Sequence, residues 1–174
     1  MIMKRKIITS AVILACFLLE STVFQNLAFA RVKPNLLIVV TSSFGFMRGK
    51  KTGLFVGFSS GLLADLFWGN VFGFNMLLYA VIGYVNGSFK RMFYDDDIKL
   101  PIVLISVSDF LYGILTYACI YMLQGDFAFL TYLMKIILPE LVYTILVTLV
   151  LYQIILHVNK KLEEEEQRSA SRFV

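Results

Sequence analysis

Four carboxylic acids lie inside strongly apolar stretches of this sequence, where they could bind a cation, relay a proton or hydrogen-bond a neighbouring helix. They are Glu20, Asp65, Asp109 and Glu140. A charge at the centre of a bilayer costs about 2.5–3.5 kcal/mol on insertion scales. Each acid should therefore face other helices, be protonated, or lie near a membrane interface.

Acid–base catalysis would need further groups, and the apolar stretches do not supply them. The one histidine, His157, falls at the inner end of the last stretch and is interpreted as an interfacial residue. Cys16 and Cys119 lie far apart, so they give neither a disulfide framework nor metal-ligand spacing. No nucleophile is paired with a base. We therefore predict no catalytic residue, no metal site and no cofactor. The simplest role for the acids is hydrogen bonding between helices, with partner docking or a ligand or proton site as alternatives.

A glycine or an aspartate recurs at every fourth position through the third apolar segment. The series is Gly53, Gly57, Gly61, Asp65, Gly69 and Gly73. Positions four apart share one face of a helix. Glycines on that face let a second helix approach closely in lipid, where no hydrophobic force brings helices together. Gly83 and Gly87 repeat the spacing in the next segment. The pattern predicts a helix-packing and partner-contact surface, with its last two steps as a helix cap or an outer turn.

The composition indicates a membrane domain. Hydrophobic residues make up 59% of the 174 residues and charged residues 16%, whereas a soluble domain carries about 25% charged residues. The mean hydropathy is +0.78, and the apolar residues form long runs. We predict an all-α, polytopic integral membrane domain over 1–158 and a charged cytoplasmic tail over 159–174. The net charge of +4 is assigned to membrane topology, because no soluble surface is left for nucleic acid.

Six apolar segments can be drawn, and the distribution of basic residues orients them. They cover 7–29, 35–47, 52–68, 71–89, 100–123 and a last span within 127–157. With the N-terminus inside, the inner side collects 13 Lys and Arg residues and the outer side two, Arg31 and Lys33. Positively charged loops stay in the cytoplasm. The sequence therefore predicts a bundle of six transmembrane helices with both termini cytoplasmic.

Three of these segments leave alternatives open. The first could be a signal peptide cut after residues 28–30, which would leave five helices, although 20–30 is long for the region before a cut. The second has 13 residues and spans only ~20 Å, so it would thin the bilayer, extend through its polar ends, or form a re-entrant hairpin with the third. In the last region we expect the span to begin near Pro139, with 127–138 along the interface. One long helix kinked at Pro139 is the alternative.

The predicted topology gathers the acids toward one side of the membrane. Glu20, Asp65 and Glu140 fall toward the outer leaflet, and Asp109 falls nearer mid-depth. Polar residues at helical spacing could accompany them. These are Asn75, Tyr79, Tyr112, Thr116, Tyr143 and Thr144. We therefore expect an intramembrane polar group near the outer surface that includes Glu20, Asp109, Glu140 and Tyr143.

Several of these motifs together resemble the rod shape-determining protein MreD family of bacteria. The resembling residues are Lys-Pro-Asn-Leu-Leu at 33–37, Gly45, Arg48 and Gly49, the glycine ladder with Leu-Leu-Ala-Asp-Leu at 62–66, Tyr79, Gly83-Tyr84, Gly87, and Pro139-Glu140 with Tyr143. The resemblance is specific from about 33 to 91. Trp68 departs from it, because a small or polar residue is expected there.

The resemblance implies a non-enzymatic, multi-pass protein of the bacterial cytoplasmic membrane. That family belongs to the cell-elongation machinery, and the implied partner is the bitopic protein MreC. MreB filaments, the polymerase RodA and a class B penicillin-binding transpeptidase are implied in the same complex. The alternative function is the substrate-binding membrane subunit of an energy-coupling-factor vitamin transporter. Such subunits have a similar size and six helices, and the outer acids would then line a ligand pocket.

Overall fold

The computed structural model describes residues 2–26, 32–69, 71–92, 98–122, 125 and 128–170, and these form six helices. The first four are α1 (Ile2–Asn26), α2 (Leu36–Arg48), α3 (Lys50–Phe67) and α4 (Phe74–Ser88), followed by a 3₁₀ turn (Phe89–Met92). Helix α5 (Lys99–Thr116) continues as a π-helical turn (Tyr117–Tyr121). The prediction of an all-α chain is confirmed. The possible signal-peptide cut at 28–30 lies outside the described residues.

The last helix, α6, is one continuous element. It begins as Phe129–Tyr132, passes through a π-helical segment (Leu133–Ile137) and continues as Leu138–Ala170. The expectation that 127–138 forms a separate interfacial segment is therefore wrong over its described residues, and the single long helix is the correct alternative. The π segment ends two residues before Pro139. It shifts the hydrogen-bond ladder at the point where proline lacks an N–H group, so the helix continues past it.

Helix α2 forms the centre of the bundle. Every residue from Leu36 to Met47 is buried, and α2 contacts each of the other five helices. A helix that is apolar around most of its circumference lies either in a protein core or in lipid, and here the other five helices cover it. Because protein rather than lipid surrounds α2, its 13 residues do not have to match the thickness of the hydrocarbon core. This explains how so short a helix fits into a membrane domain.

Both ends of α2 are fixed to α6. The backbone N–H of Asn35 donates to Thr144 Oγ1 at 3.1 Å, and the Arg48 guanidinium donates to the Asn159 side chain and backbone carbonyl. From Thr144 to Asn159, α6 rises ~22 Å, close to the ~20 Å length of α2. The two helices therefore run side by side in the same direction. We name the two ends of the bundle the Asn35 end and the Arg48 end.

A single residue, Gly49, connects α2 to α3. Its φ of 96° lies in the region that favours glycine, and its N–H donates to the carbonyl of Gly45 at 2.7 Å. The chain reverses there, and α3 runs back toward the Asn35 end. The second and third segments thus form a tight helical hairpin.

The outside of the bundle is strongly apolar. Large hydrophobic side chains are exposed on all the outer helices, among them Leu18, Phe58, Leu77, Val103 and Val150. By length and hydropathy, Lys99–Tyr121 and Phe129–Glu165 can each cross a membrane, and Leu36–Arg48 is a shorter apolar helix. An apolar exterior around a core that contains polar groups is the arrangement expected of helices in lipid.

Candidate functional site

The glycines of α3 lie directly against the backbone of α4. Gly53 faces Gly83, Gly57 faces Tyr79, and Gly61 faces Met76. Each four-residue step along α3 moves about one turn back along α4, so the two helices are antiparallel. A Cβ atom at any of these three glycines would lie within 3 Å of α4 backbone atoms, closer than side chains pack. The absence of side chains is therefore what permits this approach.

A third helix joins the same contact through Gly45. A Cβ on Gly45 would lie 2.7 Å from the Gly83 carbonyl oxygen, and a Cβ on Gly53 would lie 2.9 Å from the Gly45 Cα. Gly87 packs in the same way against the connection at Gly49 and Lys50. The sequence analysis did not assign Gly45 to the packing surface. The sequence did contain a pattern that could have identified Gly45, because Gly45 and Gly49 extend the four-residue glycine spacing backward from Gly53.

The glycine surface is thus covered by α4 within the chain, and its contact with a partner stays a prediction. The last two steps of the ladder lie beyond α3. A Cβ at Gly69 would lie 2.7 Å from the Asp65 carbonyl oxygen, whereas nothing lies within 4 Å of one at Gly73. Gly73 is the N-cap of α4, with a φ of 93°. Its role is to provide a left-handed backbone conformation at the turn.

Asp65 lies near the end of α3 and caps the N-terminus of α4. Its Oδ2 accepts the N–H groups of Gly73 at 2.9 Å and Met76 at 3.0 Å, and its Oδ1 accepts that of Asn75 at 3.1 Å. Gly73 has no side chain to cap the helix. The carboxylate satisfies N–H groups that would otherwise lack acceptors and lies at the positive end of the helix dipole. Asp65 therefore fixes α4 to α3 at the Asn35 end.

Glu20 is paired with Lys33 at the same end of the bundle. Lys33 Nζ lies 3.3 Å from Glu20 Oε1 and 3.4 Å from the centroid of the Trp68 ring. Glu20 Oε2 accepts the N–H of Leu37 at 3.4 Å, close to the N-terminus of α2. The tryptophan that departs from the family pattern thus covers the lysine of this ion pair, a favourable cation–π arrangement.

Side-chain hydrogen bonds and one contact between aromatic rings link Asn35 to α4 and α5. Asn35 Oδ1 accepts the N–H of Ile38 at 3.1 Å and the hydroxyl of Tyr79 at 3.0 Å. The Tyr79 and Tyr112 ring centroids are 5.2 Å apart, and the Tyr112 hydroxyl donates to Asn75 Oδ1 at 2.8 Å. We call this group the Asn35 network. It consists of Asn35, Asn75, Tyr79 and Tyr112, together with Glu20, Lys33 and Thr144.

The remaining predicted acids border the Asn35 network from α5 and α6. Asp109 is 4% exposed and interacts with the Thr144 hydroxyl, while its Oδ1 has no hydrogen-bond partner among the described residues. Glu140 is partly buried on α6 and lies near Asp109 and Glu20. Tyr143 is partly buried beside Thr144. The structure thus brings Glu20, Asp109 and Glu140 together, whereas Asp65 is engaged separately at the start of α4.

A second polar cluster, nearer the Arg48 end, was missed by the sequence analysis. The Asn86 side-chain amide donates to Ser42 Oγ at 3.0 Å and to Ser108 Oγ at 2.8 Å. It therefore connects α4 to α2 and α5. The signal was an asparagine in an apolar segment, on the same face as Tyr79 and Gly83. Its partners could not be identified because they lie on other helices.

We expect replacement of Lys33 by methionine to destabilise the protein by about 1–2 kcal/mol, because Glu20 loses its partner while buried. The loss is moderated because the Lys33 side chain is 36% exposed. Thermal unfolding of the purified protein in detergent measures it. Lys33→Met combined with Glu20→Gln should recover most of the stability. Strictly additive effects of the two changes would contradict the coupling.

Among the described residues, the polar side chains inside the bundle make contacts between helices. Among the described residues, no three His, Cys, Asp or Glu side chains group closely enough to hold a metal ion. Asp65, Asn35 and Asn86 all make hydrogen bonds that join different helices. This arrangement can hold the six helices in fixed positions relative to one another.

Comparison with known proteins gives one finding. A family model described as rod shape-determining protein MreD matches residues 4–162. No curated protein and no solved structure matches the chain.

Proposed function

The chain belongs to the rod shape-determining protein MreD family, and from that premise we propose that it is a membrane scaffold of the cell-elongation machinery. In this proposal it binds MreC and helps to link MreB filaments to peptidoglycan synthesis by RodA and a class B penicillin-binding transpeptidase. The family match over residues 4–162 carries the proposal. The family is one of non-enzymatic membrane proteins that determine rod shape.

The geometry supports a scaffold role for this chain. The described polar side chains inside the bundle are used largely for contacts between helices, as in the Asn35 network. The outer surfaces of α3 and α4 present Phe58, Leu66, Leu77 and Val81. We propose that the glycine surface positions these outer faces for MreC, and that Asp65, Glu20, Asp109, Glu140 and Tyr143 stabilise that position.

We further propose a multi-pass topology in the bacterial cytoplasmic membrane, with residues 1–158 in the membrane and 159–174 as a cytoplasmic tail. The Arg48 end and both termini would face the cytoplasm. Arg5, Lys6 and Lys51 lie together at that end, whereas Lys33 lies at the Asn35 end beside Glu20. This asymmetry supports the orientation, because positive charge is retained in the cytoplasm.

Depletion of the protein in its native host tests the function. We expect rod-shaped cells in rich medium to become round and swollen, and the intact gene to restore the rods. The control is a strain carrying an unregulated second copy, which should stay rod-shaped under the same treatment. Cells that remain rods but stop growing when a vitamin is limiting would contradict the scaffold and favour the transporter subunit.

A further inference from the structure

A basic cavity of about 270 Å³ lies between α1 and α3 at the Arg48 end. Its lining consists of Arg5, Lys6 and Thr9 from α1 and Lys51, Thr52 and Phe55 from α3. Three of these six side chains are cationic, two carry hydroxyl groups, and no carboxylate is among them. Such a lining suits a phosphate group, which accepts hydrogen bonds from both kinds of donor.

The basic cavity continues into an apolar groove between the same two helices. The groove measures about 300 Å³, and its lining includes Ile13, Leu14, Phe58 and Leu62. Phe55 borders both cavities, and Lys6 Nζ lies 5.9 Å from the centroid of its ring. Leu14, Phe55 and Phe58 are 49%, 42% and 45% exposed, so the groove opens to the side where lipid surrounds the protein.

We propose that this groove binds an anionic phospholipid, with the phosphate held by Lys6, Lys51 and Arg5 and an acyl chain lying along the apolar part. A soluble anion would use only the basic cavity, and a transmembrane segment of another protein would use only the apolar groove. A phospholipid matches both in the observed order, because its charge lies at the membrane surface and its chain points inward. Basic cavities between helices at the membrane surface are suited to anionic headgroups.

Native mass spectrometry of the full chain in detergent tests the site. Phosphatidylglycerol is titrated against phosphatidylcholine with the same acyl chains. We expect phosphatidylglycerol to bind more tightly, and Lys6→Gln combined with Lys51→Gln to weaken it roughly 30-fold, since each basic residue near a membrane surface contributes about fivefold. The matched control, Lys90→Gln with Arg91→Gln, removes the same charge from exposed positions outside the cavity and should leave the affinity unchanged.

A second pair of variants tests the apolar half of the site. Ser59→Phe places a ring in the groove, whose lining includes Ser59, and should weaken phosphatidylglycerol binding at least severalfold. Ser88→Phe adds the same ring at an exposed position on α4 and should have no effect. Glycerol 3-phosphate at millimolar concentration should not displace the lipid. Equal binding of the two lipids, an equal loss with the Lys90 and Arg91 control, or displacement by glycerol 3-phosphate would overturn the proposal.

Discussion

Replacement of Gly57 by leucine should force α3 and α4 apart and destabilise the protein by more than about 3 kcal/mol. A Cβ at this position would overlap the Tyr79 carbonyl group. The Tyr79 carbonyl group belongs to a helix backbone and cannot move aside as the end of a flexible side chain can. The misplaced α4 would also disturb the Tyr79 hydroxyl, which donates to Asn35.

Thermal unfolding in detergent and co-purification with MreC measure the consequences. We expect Gly57→Leu to enter the membrane, since its hydropathy increases, but to unfold at lower temperature and to lose the proposed binding to MreC. Gly61→Leu should behave in the same way. The control is Val85→Leu, at a position on α4 that is 49% exposed, and it should match the wild type. A Gly57→Leu protein with wild-type stability would contradict the packing, and retained MreC would contradict the proposed role of this surface.

Replacement of Asp65 by alanine has the second-largest expected effect, a loss of about 2–4 kcal/mol. Three backbone N–H groups at the start of α4, those of Gly73, Asn75 and Met76, would lose their acceptor together. The negative charge near the N-terminus of α4 would also be lost. Hydrogen exchange measures this directly, because the amides of Asn75 and Met76 should exchange faster while those of α2 stay protected.

Asp65→Asn is the matched variant for this prediction. Asparagine has nearly the same shape but a single acceptor oxygen, so it should lose roughly half as much stability as alanine does. If Asp65→Ala left the exchange of the α4 amides unchanged, the capping role would be wrong. If asparagine and alanine were equally destabilising, the charge rather than the number of acceptors would account for the effect.

The local periodicity of the sequence was sufficient to predict most of the helices and the surface on which the glycines lie. The four-residue spacing from Gly53 to Gly61 determines that these positions share a face, whatever packs against them. The basic ends and apolar runs likewise indicated a membrane domain. The second apolar segment was drawn from residue 35, and the structure begins α2 at Leu36 with Asn35 as its N-cap.

The continuity of α6 and the central position of α2 could not be deduced in this way. Proline usually interrupts a helix, and only the π-helical segment from Leu133 to Ile137 shows how this one continues. An apolar segment of 13 residues is compatible with a thinned bilayer or a re-entrant hairpin. Its burial on every side follows from contacts with five other helices, which no local pattern records.

The sequence by itself thus determined the class of the protein, its helical faces and the presence of acids among apolar residues. Only the tertiary structure decided which groups those faces and acids meet: α4 for the glycines, the N-terminus of α4 for Asp65, and Lys33 for Glu20. The physical reason is that covalent periodicity controls the direction of a side chain within its own helix. Which group that side chain contacts depends on how helices distant in sequence pack together. A polar group in lipid is costly unless it is hydrogen-bonded, and the packing decides which partner is close enough to bond it.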